Sequence, residues 1–125
     1  MPRPLLAIRI AALAFCGLYF PHAQAENLTG QVMSIADGDT LTLQDAQHQQ
    51  HQIRLAGIDA PELAQAFGQH AKTSLSLLAL NQQATANCQK PNQNRLEICA
   101  VTIGGKDIGL AQIGSGMAWW YQQNA

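Results

Sequence analysis

The stretch at residues 35–62 constrains the whole chain: IADGDTLTLQ, a polar link, then IRLAGIDAPE. Apolar residues alternate with polar ones on both sides of a Gly-containing acidic turn, the pattern of strands folded back on each other. Asp37 and Asp39 stand in the turn, and an isolated arginine, Arg54, precedes Asp59 and Glu62. Only 12% of the chain is charged, so this concentration marks a place built for a cation and a phosphate. Hard cations take carboxylate and carbonyl oxygens, and a guanidinium fork matches a phosphate. A solvated acidic loop is the plainer reading. It explains neither the lone arginine nor the spacing, and Asp37 suits closing the turn better than binding metal.

The 125 residues, 47% hydrophobic, suffice for one domain. Residues 1–25 are expected to stand outside it. Arg3 and Arg9 make a basic start, residues 10–20 an apolar run, and Ala23-Gln24-Ala25 a small-residue cleavage site, which together read as a secretory signal peptide. The run is shorter than the roughly 20 residues of a membrane span. The expected location is therefore periplasmic or secreted, with no stable membrane association after cleavage. Residues 26–125 would form the domain, and they carry five bases against eight acids, a net −3. That balance argues against tight nonspecific duplex binding, which rests on many cations neutralising phosphates.

With Cys16 in the leader, Cys88 and Cys99 form an even pair suited to an oxidising compartment. They bracket QKPNQNRLEI, whose Pro and Asn residues suggest a turn between two strands close enough for a disulfide.

In order, residues 29–35, 41–43, 53–55, 83–88 and 96–103 read as strands. Arg54 should face away from its apolar neighbours Ile53 and Leu55. His48 and His51, with no carboxylate cluster beside them, are expected at a solvated hairpin tip. A helix is expected from Pro61 through Leu80, with Leu63, Phe67, Ala71, Leu75 and Leu78 as its buried stripe and His70 and Lys72 in solvent. Gly104-Gly105 makes a turn, residues 107–113 a short helix, and Gly116 its end. Trp119, Trp120 and Tyr121 suit base stacking, although closing a sheet edge is the better-favoured role. Five strands with a helix after the third predict a β-barrel with helices (α+β), a small Greek-key barrel of the OB type.

DGDT, RLAGIDAPE, AFGQHAKTSL and GGKDIGLAQIGSGMAWWY together resemble the thermonuclease, or staphylococcal nuclease-like, family across nearly all of residues 30–121. The resemblance implies a five-stranded OB-fold phosphodiesterase that cuts DNA and RNA with calcium. It implies that Asp39 and Asp59 hold the metal with the backbone carbonyl of Ala60, and that Glu62 lies near the attacking water. It implies Arg54 as the first phosphate-binding arginine. The family shows an aspartate, an aromatic and a glycine before a second arginine, where this chain has KPNQNRLEIC. Register from Cys99 puts that arginine at Asn94, so Arg95 is one place late. The chain also ends where the family continues into a further helix. Expected from these is a weak, monomeric calcium-dependent endonuclease that prefers single strands. The alternative is a catalytically inactive OB-fold module that binds single-stranded nucleic acid or a protein partner.

Overall fold

The computed structural model describes residues 2, 4, 16–18, 26–89 and 96–124. Ten residues from Glu26 to Ile35 form β1, and the acidic turn returns the chain as β2, Thr40–Asp45. A second hairpin leads into β3, Gln50–Leu55. In each strand the apolar residues alternate inward: Val32 and Ile35, Leu41 and Leu43, Ile53 and Leu55 are all buried. After a two-residue β4 (Ile58–Asp59) and α1 (Gly68–Ala79), β5 (Gln83–Cys88) pairs antiparallel with β1, and β6 (Glu97–Ile103) pairs with β5. β6 then meets β3 in parallel, Ile53 opposite Glu97 and Leu55 opposite Cys99, and this contact closes the sheet. The result is the expected five-stranded barrel. Closure leaves none of its five strands as a bare edge.

The remaining elements are short. β7 (Lys106–Asp107) extends β6 past the Gly104-Gly105 turn, and α2 (Ile108–Gly114) follows. Asp107 is the cap of α2 rather than its first residue: its side chain accepts from the Leu110 N–H at 3.0 Å. β8 (Trp119–Trp120) pairs with β4, and a single 3-10 turn covers Gln122–Asn124. The β8 backbone thus closes an edge, and the Trp120 ring covers Gly57, where an added Cβ would lie 2.9 Å from it. Trp119 and Trp120 nonetheless stay 49% and 60% exposed.

Three expectations are corrected. The helix begins at Gly68, not Pro61, because residues 62–68 form successive turns with Glu62 and Gln65 carbonyls accepting from Gln65 and Gly68. Phe67 then takes a left-handed φ of 65°, which no helix continues. Leu63 and Phe67 are consequently exposed, while Ala71, Leu75 and Ala79 bury the helix. Lys72 is half-buried, not solvated. His51 is no hairpin tip either: it stands on β3 between Asp45 and Glu97, 2.8 Å and 3.3 Å away, whereas His48 does occupy the exposed tip.

Cys88 and Cys99 face each other across β5 and β6 and are joined as a disulfide, Cα atoms 4.0 Å apart. Among the described residues no helix is long and apolar enough to cross a membrane. The expected leader at residues 1–25 lies almost wholly outside them.

Candidate active site

The acidic turn is shaped by its own side chains. Asp37 accepts from the Asp39 N–H at 3.0 Å, an Asx turn that presents the next carboxylate inward. Gly38 is required by space: a Cβ there would lie 2.5 Å from the Ala71 Cβ and 2.8 Å from that of Ala60. Asp39 is 4% exposed. Its Oδ2 accepts from the Ala60 N–H at 2.9 Å and its Oδ1 from the Thr40 hydroxyl at 3.1 Å.

β3 and β4 bring the other charges to the same rim. Arg54 leaves the outward face of β3, as alternation requires, and its Nη2 donates to Asp59 Oδ1 at 3.1 Å. The same nitrogen lies 3.7 Å from Asp39 Oδ2, and the Tyr121 ring centroid is 6.0 Å from the Arg54 guanidinium carbon. Asp39, Arg54, Asp59 and Ala60 are therefore brought together. Glu62 is exposed on the following turn, its N–H held by Gln65 Oε1 at 2.7 Å. Its carboxylate has no hydrogen bond or ion pair among the described residues and is open to solvent. Arg95 lies outside the described residues.

Burial pushes the Asp39 carboxyl up from the usual 3.8 to about 6, helped by its hydrogen bond with Asp37 and that neighbour's charge. The Ala60 N–H and the Arg54 guanidinium oppose the rise without cancelling it. A buried carboxylate in that state is an incompletely compensated anion.

Two positioning residues escape sequence reasoning. Gln112 on α2 is fully buried. Its Nε2 donates to the carbonyls of Gly38 (2.9 Å) and Ala71 (3.0 Å), while its Oε1 accepts from the Ser74 hydroxyl at 2.6 Å. It ties the acidic turn to both helices. Asn124 does the same for the turn before Asp59: its Oδ1 accepts from the Gly57 N–H at 3.0 Å, and the Tyr121 N–H donates to the Gly57 carbonyl at 2.9 Å. A polar residue at an inward helical position was the one available sign of Gln112; Asn124 offered none.

A closed five-stranded barrel with two aspartates and an arginine joined on its rim defines the OB-fold class typified by staphylococcal nuclease. The family model described as staphylococcal nuclease homologue matches residues 52–125, a span containing Arg54, Asp59, Ala60 and Glu62. Micrococcal nuclease of Shigella flexneri is 31% identical over 131 residues, covering 98% of this chain and 74% of that protein. A Haemophilus influenzae protein described as an uncharacterized endonuclease is 37% identical over 98 residues, 78% of this chain. The chain spans only 55% of that protein's length. Protein ParB of Escherichia coli is 28% identical over 98% of this chain. The chain belongs to the staphylococcal nuclease homologue family.

Proposed function

We propose that this protein is an exported, calcium-dependent endonuclease that hydrolyses phosphodiester bonds of DNA and RNA, with single strands preferred. The observation that carries this reading is the convergence of Asp39, Arg54 and Asp59 within 3.1–3.7 Å on the rim of an OB barrel. The nuclease names of the relatives support the substrate class, and the apolar run with its small-residue site supports residues 1–25 as an export signal.

The donor set fits a hard divalent cation. Asp39 and Asp59 offer only oxygen acceptors, and the raised carboxyl of Asp39 leaves negative charge there for a cation to neutralise. Asp39, Asp59 and the Ala60 carbonyl would hold calcium, which supplies positive charge at a phosphate oxygen. Arg54 binds the phosphate through its fork and stays charged throughout. Glu62 holds the attacking water and takes its proton. The water oxygen bonds to phosphorus, the ester P–O bond breaks, and the departing oxygen is protonated from solvent. Arg95 is assigned the second phosphate contact, from one register position late, so the enzyme is expected to be weak. The domain acts as a monomer.

The test is cleavage of single-stranded DNA with calcium or with chelator. Asp39→Ala and Asp59→Ala should each abolish calcium-dependent cleavage while the circular dichroism spectrum stays that of the parent. Full activity in either variant at saturating substrate would overturn the ligand set.

A further inference from the structure

At the barrel mouth formed by the end of β2, the start of β3 and the start of β6, a second cluster stands apart from the rim already described. That rim uses the opposite ends of β2 and β3. Asp45, His51, Glu97, Cys88 and Cys99 all occupy inward positions of their strands, in register with the buried Leu43, Ile53, Val101 and Ala86. The two sulfurs and a Glu97 carboxylate oxygen lie within 4.8 Å of one another. His51 Nδ1 faces the same carboxylate, 3.4 Å from Oε1 and 3.3 Å from Oε2. Glu97 Oε2 is buried and meets no donor in hydrogen-bonding geometry among the described residues. On the other side of the ring, His51 Nε2 is 2.8 Å from Asp45 Oδ2.

Half of a metal-binding histidine is in place: the Asp45 carboxylate behind Nε2 holds a proton there. Nδ1 now shares its proton with the Glu97 carboxylate, and that proton leaves to solvent when a metal takes the position between them. In the disulfide form both sulfurs are spent on each other. We propose that reduction of the Cys88–Cys99 bond converts the cluster into a site for a zinc-class divalent cation, with Cys88, Cys99, Glu97 and His51 as its ligands. The chemistry balances. A dithiol reductant delivers two electrons to the S–S bond and becomes a disulfide itself, and two thiols result. Both release their protons to solvent as the metal binds. Two thiolates, one imidazole and one carboxylate are a tetrahedral zinc set, and it needs the sulfurs only roughly 3.8 Å apart for zinc–sulfur bonds near 2.3 Å. Facing residues of β5 and β6 can reach that spacing by side-chain rotation. The barrel would then be fastened across β3, β5 and β6 by a metal under reducing conditions, as it is across β5 and β6 by the disulfide under oxidising ones.

The experiment uses the full chain carrying Cys16→Ser, so that thiolate signals arise from this pair alone. Titration with cobalt(II) should leave the oxidised protein without a near-ultraviolet thiolate-to-cobalt band. The reduced protein should develop that band together with the visible bands of a tetrahedral ion, saturating at one equivalent and bleached by zinc. Cobalt at Asp39 and Asp59 has oxygen ligands only and gives no such band, so Asp39→Ala should leave the signal intact. The double variant Cys88→Ser with Cys99→Ser should abolish it. Glu97→Gln and His51→Gln should each weaken binding by tenfold or more, and Asp45→Asn, a positioning change, by roughly tenfold. No band on reduction would overturn the proposal. So would unchanged affinity in either ligand variant, or a reduced chain still unfolded by circular dichroism when saturated with cobalt.

Discussion

At Asp39, burial and hydrogen bonding pull in opposite directions, and burial wins. Its carboxyl is raised to about 6 from 3.8, so the metal-free fold keeps its proton up to about pH 6. The sign follows from linkage: a raised folded value gives stability that is fully present below the unfolded value and is lost as pH rises through about 6. At neutral pH the charged form therefore costs on the order of 3 kcal/mol in the absence of metal. Asp39→Asn keeps an oxygen for the Ala60 N–H and removes the charge. The expected outcome is a higher melting temperature than the parent at pH 7.5 in chelator, with the difference shrinking towards pH 4.5. Thermal scans at several pH values check it, and a constant difference would mean that the gain comes from packing. Gln112 is the converse case, a neutral residue whose worth lies in its three hydrogen bonds. Gln112→Ala leaves the Gly38 and Ala71 carbonyls without these donors and should destabilise by about 2–4 kcal/mol. Chemical denaturation measures that loss, which should be accompanied by weaker calcium binding because the acidic turn is no longer tied down.

Strands and helices carry stability of a different kind, set by how the barrel closes. Its last seam is β3 against β6, and His51 spans its start. Burial lowers the His51 value, but hydrogen bonds to Asp45 and Glu97 more than reverse this, and the ring ends above the usual 6.5. The Asp45 carboxyl is correspondingly lowered, chiefly by its bond from His51. The stability due to protonated His51 is thus present below pH 6.5 and lost as pH climbs past its raised folded value. In disulfide-intact, metal-free protein, His51→Gln should cost most near pH 6 and least above pH 8, read from melting temperatures. The disulfide fastens the neighbouring seam across a separation of 11 residues. Cutting a loop of that size removes about 2–3 kcal/mol, so reduction without added metal should lower the melting temperature by roughly 10 °C or unfold the domain. Mass spectrometry that found two free thiols in protein isolated without reductant would refute the bridge. These elements also show what sequence can and cannot convey. Alternation in LTL, IRL and ATANC gave the strands and the outward face of Arg54, because a period of two is local. The start of α1 was misplaced because Leu63 and Phe67 keep helical spacing with Ala71 while a left-handed residue and tight turns break the chain between them. His51 looked solvated because Glu97, its partner, is 46 residues away, and only barrel closure joins them. The rim was legible for the opposite reason: Asp39, Arg54 and Asp59 sit on consecutive local elements, whereas Gln112 and Asn124 reach it from the far end of the chain.

For the molecule as a whole, the charge balance decides how a nucleic acid is held. Residues 26–125 carry net −3, and the site itself contributes two aspartates. Of the three cations among the described residues, Arg54 alone stands on the rim. Lys72 lies on α1, half-buried, and Lys106 lines the groove between α1 and α2 with Leu77 and Leu110. Long tracts of backbone phosphate therefore find few partners, and under the proposed function binding rests on calcium and on one or two arginines. Each neutralised phosphate of a single strand contributes about −0.7 to the slope of log affinity against log salt. Two arginine contacts then give a slope near −1.4, far shallower than that of a basic groove. Measured as 1/KM for a short single-stranded substrate at fixed free calcium, the slope should lie between about −1 and −2. Arg54→Ala should flatten it by about 0.7 and lower kcat by roughly 10²-fold or more, since its contact serves the transition state too. Arg95→Ala should lower kcat less, because in the sequence, counted from Cys99, it stands one place after the family's arginine position. Equal and severe losses for both arginines would show that Arg95 reaches the phosphate fully. A slope of −4 or steeper would show that the lysines grip the strand as well, and the site would then be only part of the binding surface.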